Sequence, residues 1–163
     1  MTDAQVYAGA AAMGAVAGMR SFSAPAMVSQ AAKAGRIAVS HSKLGFLQSP
    51  KAALAMSALA VGEAIADKLP FMPNRTQAPG LLARAVTGGI SGAAISSARK
   101  KSPWIGAVAG AVGAIAAAYA FYHLRRAAKE KLHIPDTVTA LLEDAIVAGG
   151  GTFVLSTLRP ESA

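Results

Sequence analysis

Apolar residues form five long runs along the chain, and glycine, proline or charged residues separate them. The first run covers residues 4–18 and resumes at 26–32; the others cover residues 51–69, 81–98, 104–121 and 136–158. Long apolar runs without period-two alternation are typical of helices rather than strands. Because a helix needs roughly 20 apolar residues to cross a bilayer, the pattern predicts an all-α, polytopic membrane bundle of about five segments.

The first run meets polar residues before it is long enough for a full span. Arg20 and Ser21 follow it directly, and Pro25 comes soon after. Proline removes a backbone donor and clashes with the preceding turn, so the sequence favours a broken first helix around SFSAP. Irregular backbone at membrane depth is tolerated only inside protein or beside water. The alternative is a helix that ends at Gly18, with Arg20 reaching the interface.

The second run carries two acids near its end. Leu54, Val61 and Ile65 share one helical face, whereas Glu63 and Asp67 lie one turn apart on a face roughly opposite. We expect lipid to meet the first face and the bundle interior to meet the second.

Two prolines, Pro70 and Pro73, are predicted to end this helix, and the polar residues Asn74 and Arg75 follow them. A solvated helix end is the alternative interpretation for Asp67. Glu63 lies one turn deeper in the apolar run, so this alternative fits it less well.

The fourth run is the clearest span, because residues 104–121 contain no charge. Gly106, Gly110 and Gly113 form a stripe of small residues that predicts close helix packing. Two other runs are interrupted by charges. Arg84 lies in the first turns of the third run, and the adjacent acids at 143 and 144 lie in the first half of the fifth.

Composition supports a membrane class. Hydrophobic residues make up 53% of the chain and charged residues 15%, whereas soluble domains carry about 25% charged residues. Alanine and glycine dominate the apolar set, and small residues suit helices that pack closely in lipid. Because alanine is only weakly hydrophobic, an alanine-rich soluble bundle is the alternative.

The net charge of +8 is distributed over short loops. Lysine and arginine cluster between the apolar runs, at residues 33–51, 99–101 and 125–131. Nucleic-acid binders collect basic residues in one patch with interleaved aromatics, so the sequence predicts no nucleic-acid partner. The chain contains no cysteine, and its first residues, MTDAQVY, lack the basic region of a signal peptide.

No catalytic constellation is visible in the sequence. The three histidines, His41, His123 and His133, lack metal-ligand spacing, and no nucleophile has a recognisable base. We therefore expect no metal, no cofactor and no enzymatic activity. A lipid-modifying enzyme is the weakest alternative, because it lacks a nucleophile–base pair.

The informative polar residues are those inside or beside apolar runs. A charge at the bilayer centre costs about 2.5–3.5 kcal/mol on insertion scales, so each must pair, line water or become neutral. Pairing of Arg20 with Glu63, and of Arg84 with an acid of the fifth run, would satisfy four of them. The predicted polar centre comprises Arg20, Ser21, Glu63, Asp67, Asn74, Arg75, Arg84, Glu143 and Asp144.

A weak internal similarity suggests two halves, 1–80 and 81–163, within one membrane domain. GAVAGMRSF in the first run resembles GAIAAAYAF in the fourth, and SALAVGEAIAD in the second resembles VTALLEDAIVA in the fifth. With five segments the halves would be inverted in the membrane, and inverted repeats place polar sites at their interface. Five segments also place the two termini on opposite sides.

The segments AGMRSFSAPA and GEAIADKLPFMPNRTQAPGLLARAVTGGISGA resemble a bacterial integral-membrane family known as domain of unknown function four-one-two-six. The matching positions are Gly18, Arg20, Ser21, Glu63, Asp67, Lys68, Leu69 and Pro70. The resemblance implies a multi-pass protein of the bacterial inner membrane. It implies no established activity.

These patterns lead to two hypotheses about function. The first is a small ion- or proton-coupled transporter or channel whose polar centre lies between helices. The second is a structural or partner-binding membrane protein whose buried ion pairs serve folding and assembly. Expected partners are the lipid bilayer, further copies of the chain through glycine and alanine faces, and an ion or small solute.

Overall fold

Helices account for all regular structure in the part of the chain that the computed structural model describes, which is residues 1–39, 43–66 and 78–158. The predicted all-α class is therefore confirmed. A short 3-10 helix at Gly45–Gln48 precedes α3. The described α-helices are α1 (Asp3–Met19), α2 (Ser23–Lys33), α3 (Pro50–Ala66), α4 (Ala78–Ala98), α5 (Pro103–Leu132) and α6 (Asp136–Thr157).

Local sequence accounts for several helix ends. Thr2 and Gln5 form a capping box at the start of α1, in which each side chain accepts a hydrogen bond from the other residue's backbone amide. Pro103 occupies the first turn of α5, where its missing amide hydrogen is not needed. His133 ends α5 in the left-handed conformation, with φ of 52°, and Pro135 follows before α6 begins.

The first helix ends close to the predicted break, but it is not one helix broken at Pro25. α1 ends at Met19, Arg20 is extended, and α2 begins at Ser23. Pro25 lies in the first turn of α2, where a missing amide hydrogen has little effect. The helix is interrupted by the turn at residues 20–22.

This turn reverses the chain direction. A Cβ atom placed on Gly151 would lie 2.6 Å from Met27 Sδ and 3.9 Å from Val16 Cγ1, so both side chains flank one position of α6. In a continuous helix, residues 16 and 27 would be about 16 Å apart along the axis. α2 therefore folds back alongside α1 instead of continuing it.

The remaining helices alternate in direction. Gln30 Nε2 of α2 donates to Ser57 Oγ of α3 at 2.9 Å, while the amides that precede α2 bind Glu63, near the end of α3. Thus α2 and α3 are antiparallel. Gly9 of α1 lies beside both Ile95 of α4 and Val154 of α6.

The loop between α4 and α5 marks the end of the bundle where α1 begins and α6 ends. Lys101 Nζ lies 2.6 Å from Asp3 Oδ1, and Arg99 Nη2 donates to the Thr157 carbonyl at 3.2 Å. The hydrogen bond from Lys101 to Asp3 and the negative charge of Asp3 raise the pKa of Lys101. Hence α1, α3 and α5 run one way, and α2, α4 and α6 run the other.

The predicted inverted repeat is wrong for this arrangement. The first and fourth runs correspond to α1 and α5, which are parallel, whereas the second and fifth runs correspond to α3 and α6, which are antiparallel. No single two-fold axis relates both pairs. The physical reason is the reversal at residues 20–22, because the separate α2 changes the number of helices between the matched segments.

Glycines bring α1, α4 and α5 into backbone contact, as the predicted stripe on α5 requires. A Cβ atom on Gly110 would overlap the carbonyl oxygen of Gly88 in α4, and one on Gly14 in α1 would overlap the carbonyl oxygen of Gly110. Gly113 faces the carbonyl oxygen of Ala11 in the same way. These three helices share the most extensive contacts of the fold.

Large apolar side chains cover the outside of the bundle. Leu54, Val61 and Ile65, which the sequence places on one outward face of α3, are all exposed, and Trp104 at the start of α5 is 81% exposed. Within the described residues, two helices are long and apolar enough to cross a membrane: Pro103–Leu132 and Thr137–Thr157. Only 28% and 22% of their most apolar segments are buried in the protein.

Candidate functional site

A cluster of charged residues lies at one end of the bundle, where α1 and α3 end and α4 and α6 begin. Because the helices alternate in direction, the ends of α1 and α3 lie beside the starts of α4 and α6. The cluster includes Arg20, Ser21, Glu63, Arg84, Glu143 and Asp144 of the predicted polar centre. The remaining predicted members and the two predicted helix breakers lie outside the described residues: Asp67, Pro70, Pro73, Asn74 and Arg75.

Glu63 binds the turn between α1 and α2. Its Oε1 accepts a hydrogen bond from the Ser21 amide at 2.8 Å, and its Oε2 accepts one from the Phe22 amide at 2.9 Å. These amides precede α2 and lack the helical acceptors available later in a helix. A carboxylate beside the positive end of the helix dipole is also favourable. The side chain of Glu63 is 13% exposed.

Arg84 provides a positive charge on the other side of Glu63. Its Nη2 lies 4.0 Å from Glu63 Oε1, and its side chain is almost fully buried. Coulomb attraction at this distance is several times stronger in a protein interior than in water. Glu63 therefore connects the α1–α2 turn to α3 and, through Arg84, to α4.

Arg20 pairs with an acid other than the one predicted. Its Nε lies 2.5 Å from Asp144 Oδ1, whereas Glu63 binds backbone amides and Arg84. The pairs described here, Arg20 with Asp144 and Arg84 with Glu63, differ from the predicted ones. Because α6 runs antiparallel to α1, the first turns of α6 lie beside the end of α1.

Arg125 belongs to the cluster although its sequence position suggests a loop charge. Its Nη2 lies 2.5 Å from Glu143 Oε2, and Glu143 is only 3% exposed. One sequence signal could have found this pair. Arg125 and Glu143 each lie nine residues from Ile134, at the connection of α5 and α6, so an antiparallel hairpin places them opposite each other.

The described cluster contains three guanidinium groups and three carboxylates, so its formal charges balance. Its members come from α3, α4, α5, α6 and the turn between α1 and α2. Glu143 and Asp144 are neighbours in α6 and carry two of the pairs. Burying unpaired charges is far more costly than burying pairs, which explains why the acids and arginines meet.

The cluster does not contain a metal site in the part of the chain that the structure describes. No three histidine, aspartate or glutamate residues there are grouped so that they could hold a metal ion. Guanidinium groups occupy the carboxylate oxygens instead, and a cation would compete with them for those oxygens.

Comparison with protein families assigns the chain. The family model of a domain of unknown function, DUF4126, matches residues 8–158. The chain belongs to the DUF4126 family. This match spans all six charged residues of the described cluster. No protein of curated function and no solved structure matches the chain.

Proposed function

We propose that this DUF4126 protein is a multi-pass membrane transporter in which Glu63 binds and releases a proton or small cation during transport. The observation that carries the proposal is the double hydrogen bond from the α1–α2 turn to the Glu63 carboxylate. An acidic side chain thereby binds the start of α2, and helix N-termini that face anionic groups recur at the binding sites of transporters.

The outer surface of the bundle supports the membrane part of the proposal. Soluble monomers rarely expose large contiguous apolar patches, yet large apolar side chains project from α3, α5 and α6. Residues 104–124 of α5 contain no lysine, arginine or acid, and a helix of this length covers about 30 Å, the thickness of the hydrocarbon core. The resemblance to a bacterial family favours the inner membrane.

Protonation of Glu63 would change the contacts that hold the turn. As a carboxylate, Glu63 offers an acceptor oxygen to each of the Ser21 and Phe22 amides. When one oxygen carries a proton, it becomes a donor and its acceptor capacity falls. The negative charge opposite Arg84 also disappears. Proton uptake would thus weaken the connection of α3 to the α1–α2 turn and link protonation to helix position.

A second candidate is a purely structural role for the cluster, in folding or assembly. One observation favours it: each of the three acids in the described cluster has a guanidinium group within 4.0 Å. Paired charges of this kind hold helices together without binding a ligand. If this role is correct, removing a pair lowers the stability of the protein, and the protein transports no ion.

Flux measurements on reconstituted protein separate the two roles. We expect proteoliposomes that enclose a pH-sensitive dye to show proton movement under an imposed sodium or potassium gradient, and we expect Glu63→Gln to abolish it. Glutamine keeps the size of the side chain but cannot titrate. The matched control is Glu130→Gln, because Glu130 forms an exposed pair with Arg126.

Wild-type protein that moves neither protons nor cations would overturn the transport proposal and leave the structural role. Equal flux in wild type and Glu63→Gln would exclude Glu63 as the coupling group.

A further inference from the structure

The turn between α1 and α2 is held by two other helices. Glu63 of α3 accepts hydrogen bonds from the Ser21 and Phe22 amides at 2.8 and 2.9 Å. The side chain of Arg20, the residue before these amides, forms an ion pair with Asp144 of α6, with 2.5 Å between Arg20 Nε and Asp144 Oδ1. The turn therefore connects α3 to α6, and the backbone that binds Glu63 directly follows the residue that Asp144 binds.

Arg20 transmits the effect of Asp144 to the turn. Its side chain is buried, and its backbone is extended between the end of α1 and the turn. Removing a carboxylate partner from a buried charge is costly, so loss of the ion pair would favour movement of Arg20 toward water. Because Arg20 and Ser21 share a peptide bond, this movement would displace an amide that binds Glu63.

Exposure indicates that the Arg20–Asp144 pair opens more readily than the contacts of Glu63. The side chain of Asp144 is 39% exposed, the highest value among the six charged side chains of the described cluster, and that of Glu63 is 13% exposed. Coulomb attraction is weaker where water surrounds a charge. In addition, α6 touches α5 only sparsely. The pair can therefore open while the Glu63 carboxylate is still bound.

These contacts indicate how binding at Glu63 is controlled. We propose that Asp144 is a positioning residue for Glu63: through its ion pair with Arg20, it holds the turn in the conformation that binds the Glu63 carboxylate. Opening of the pair loosens the turn and promotes release of Glu63. The inference rests on the proposed function for its role in transport, but the restraint on the turn can be measured without transport.

Cysteine labelling measures how tightly the turn is held. The chain contains no cysteine, and Ser21 is buried, so we expect Ser21→Cys to react slowly with a hydrophilic maleimide in purified protein in detergent. Adding Asp144→Asn, which keeps the size of the side chain and removes its charge, should raise the labelling rate severalfold. Adding Asp144→Glu instead, which keeps a carboxylate, should leave the rate close to that of Ser21→Cys alone.

A second cysteine position detects general unfolding. Ser91 is fully buried in α4, about two turns beyond Arg84, and Ser91→Cys should stay unreactive with and without Asp144→Asn. Salt provides a test that needs no substitution at position 144. Salt on the order of 1 M reduces the Debye length to about 3 Å and weakens an exposed ion pair, so it should speed labelling of Ser21→Cys but not of Ser91→Cys.

Flux in proteoliposomes tests the consequence for transport. We expect Asp144→Asn to keep the proton movement that depends on Glu63, at a higher rate than the wild type. Equal labelling of Ser21→Cys with and without Asp144→Asn would overturn the positioning role, and so would equal acceleration at Ser21→Cys and Ser91→Cys. Faster labelling with an unchanged flux rate would overturn the control of transport.

Failure of the proposed function gives a different result. If the wild type moves neither protons nor cations, the transport function is refuted, whereas faster labelling of Ser21→Cys in the presence of Asp144→Asn would still show that Asp144 holds the turn.

Discussion

At the residue scale, Glu63 supplies acceptors to a turn whose own backbone leaves two amides available. The carboxylate binds the Ser21 and Phe22 amides with separate oxygens and lies near Arg84. Hydrogen bonds to a charged group are stronger than those between neutral groups. A single side chain therefore holds the position at which the chain reverses.

Glu63→Gln should destabilise the protein by about 1.5–3 kcal/mol, the range for hydrogen bonds to charged groups. The glutamine side chain has one acceptor oxygen, so one amide would face its NH₂ group. The measurement is thermal unfolding in detergent, followed by circular dichroism.

The control for this substitution is Glu130→Gln, which breaks an exposed i,i+4 pair with Arg126 and should change stability by no more than about 0.5 kcal/mol. If both variants melt at the same temperature as the wild type, Glu63 does not hold the turn.

Sequence reasoning found most charged residues of the described cluster but not their partners. Arg20, Glu63 and Arg84 stand out because charge is rare in apolar runs. Their pairing depends on which helix ends are adjacent, and this follows from the backbone reversal after Met19. Arg125 was missed because it lies in a basic segment, where one buried arginine does not differ in sequence from its exposed neighbours.

At the element scale, glycines determine how closely three helices approach. Gly110 contacts Gly14 and Gly88 through backbone atoms, so α5 lies directly against α1 and α4. Their positions at helical spacing made this contact predictable. The direction of α2 was not predictable in the same way, because Arg20 adopts an extended conformation that its sequence neighbours do not require.

Gly110→Ala and Gly149→Ala should have opposite effects on stability. Alanine in a helix is favoured over glycine by about 0.5–1 kcal/mol, and an added Cβ at Gly149 meets no atom within 4 Å. At Gly110 it would overlap the Gly88 backbone, and overpacking costs about 1–3 kcal/mol.

Melting temperatures of the two variants, measured side by side, test this difference. A stabilising effect of Gly110→Ala would show that the three helices are further apart than the contacts with Gly14 and Gly88 indicate.

At the scale of the whole molecule, the alternating helix directions place both ends of the described chain at one end of the bundle. The α4–α5 loop contacts Asp3 through Lys101 and Thr157 through Arg99. The five-segment interpretation from sequence places the termini on opposite sides. The difference arises from α2, an 11-residue helix that hydropathy alone joins to α1.

Single cysteines can test this arrangement, because the chain contains none. In sealed vesicles, we expect Ala4→Cys and Ser156→Cys to react with an impermeant maleimide from the same side and Lys131→Cys to react from the other. All three positions are exposed in the fold. The cysteine-free parent gives the background.

Labelling of Ala4→Cys and Ser156→Cys from opposite sides would contradict the helix directions described above. Labelling of all three variants from one side would contradict a transmembrane α5.

The backbone contacts among α1, α4 and α5 also divide the molecule mechanically. Side-chain layers can slide by changing rotamers, but glycine-to-carbonyl contacts leave no such layer between these helices. We therefore expect α1, α4 and α5 to move as one rigid unit. α6, whose contact with α5 is sparse, has more freedom to tilt. A conformational change during function would then move α2, α3 and α6 relative to this rigid unit.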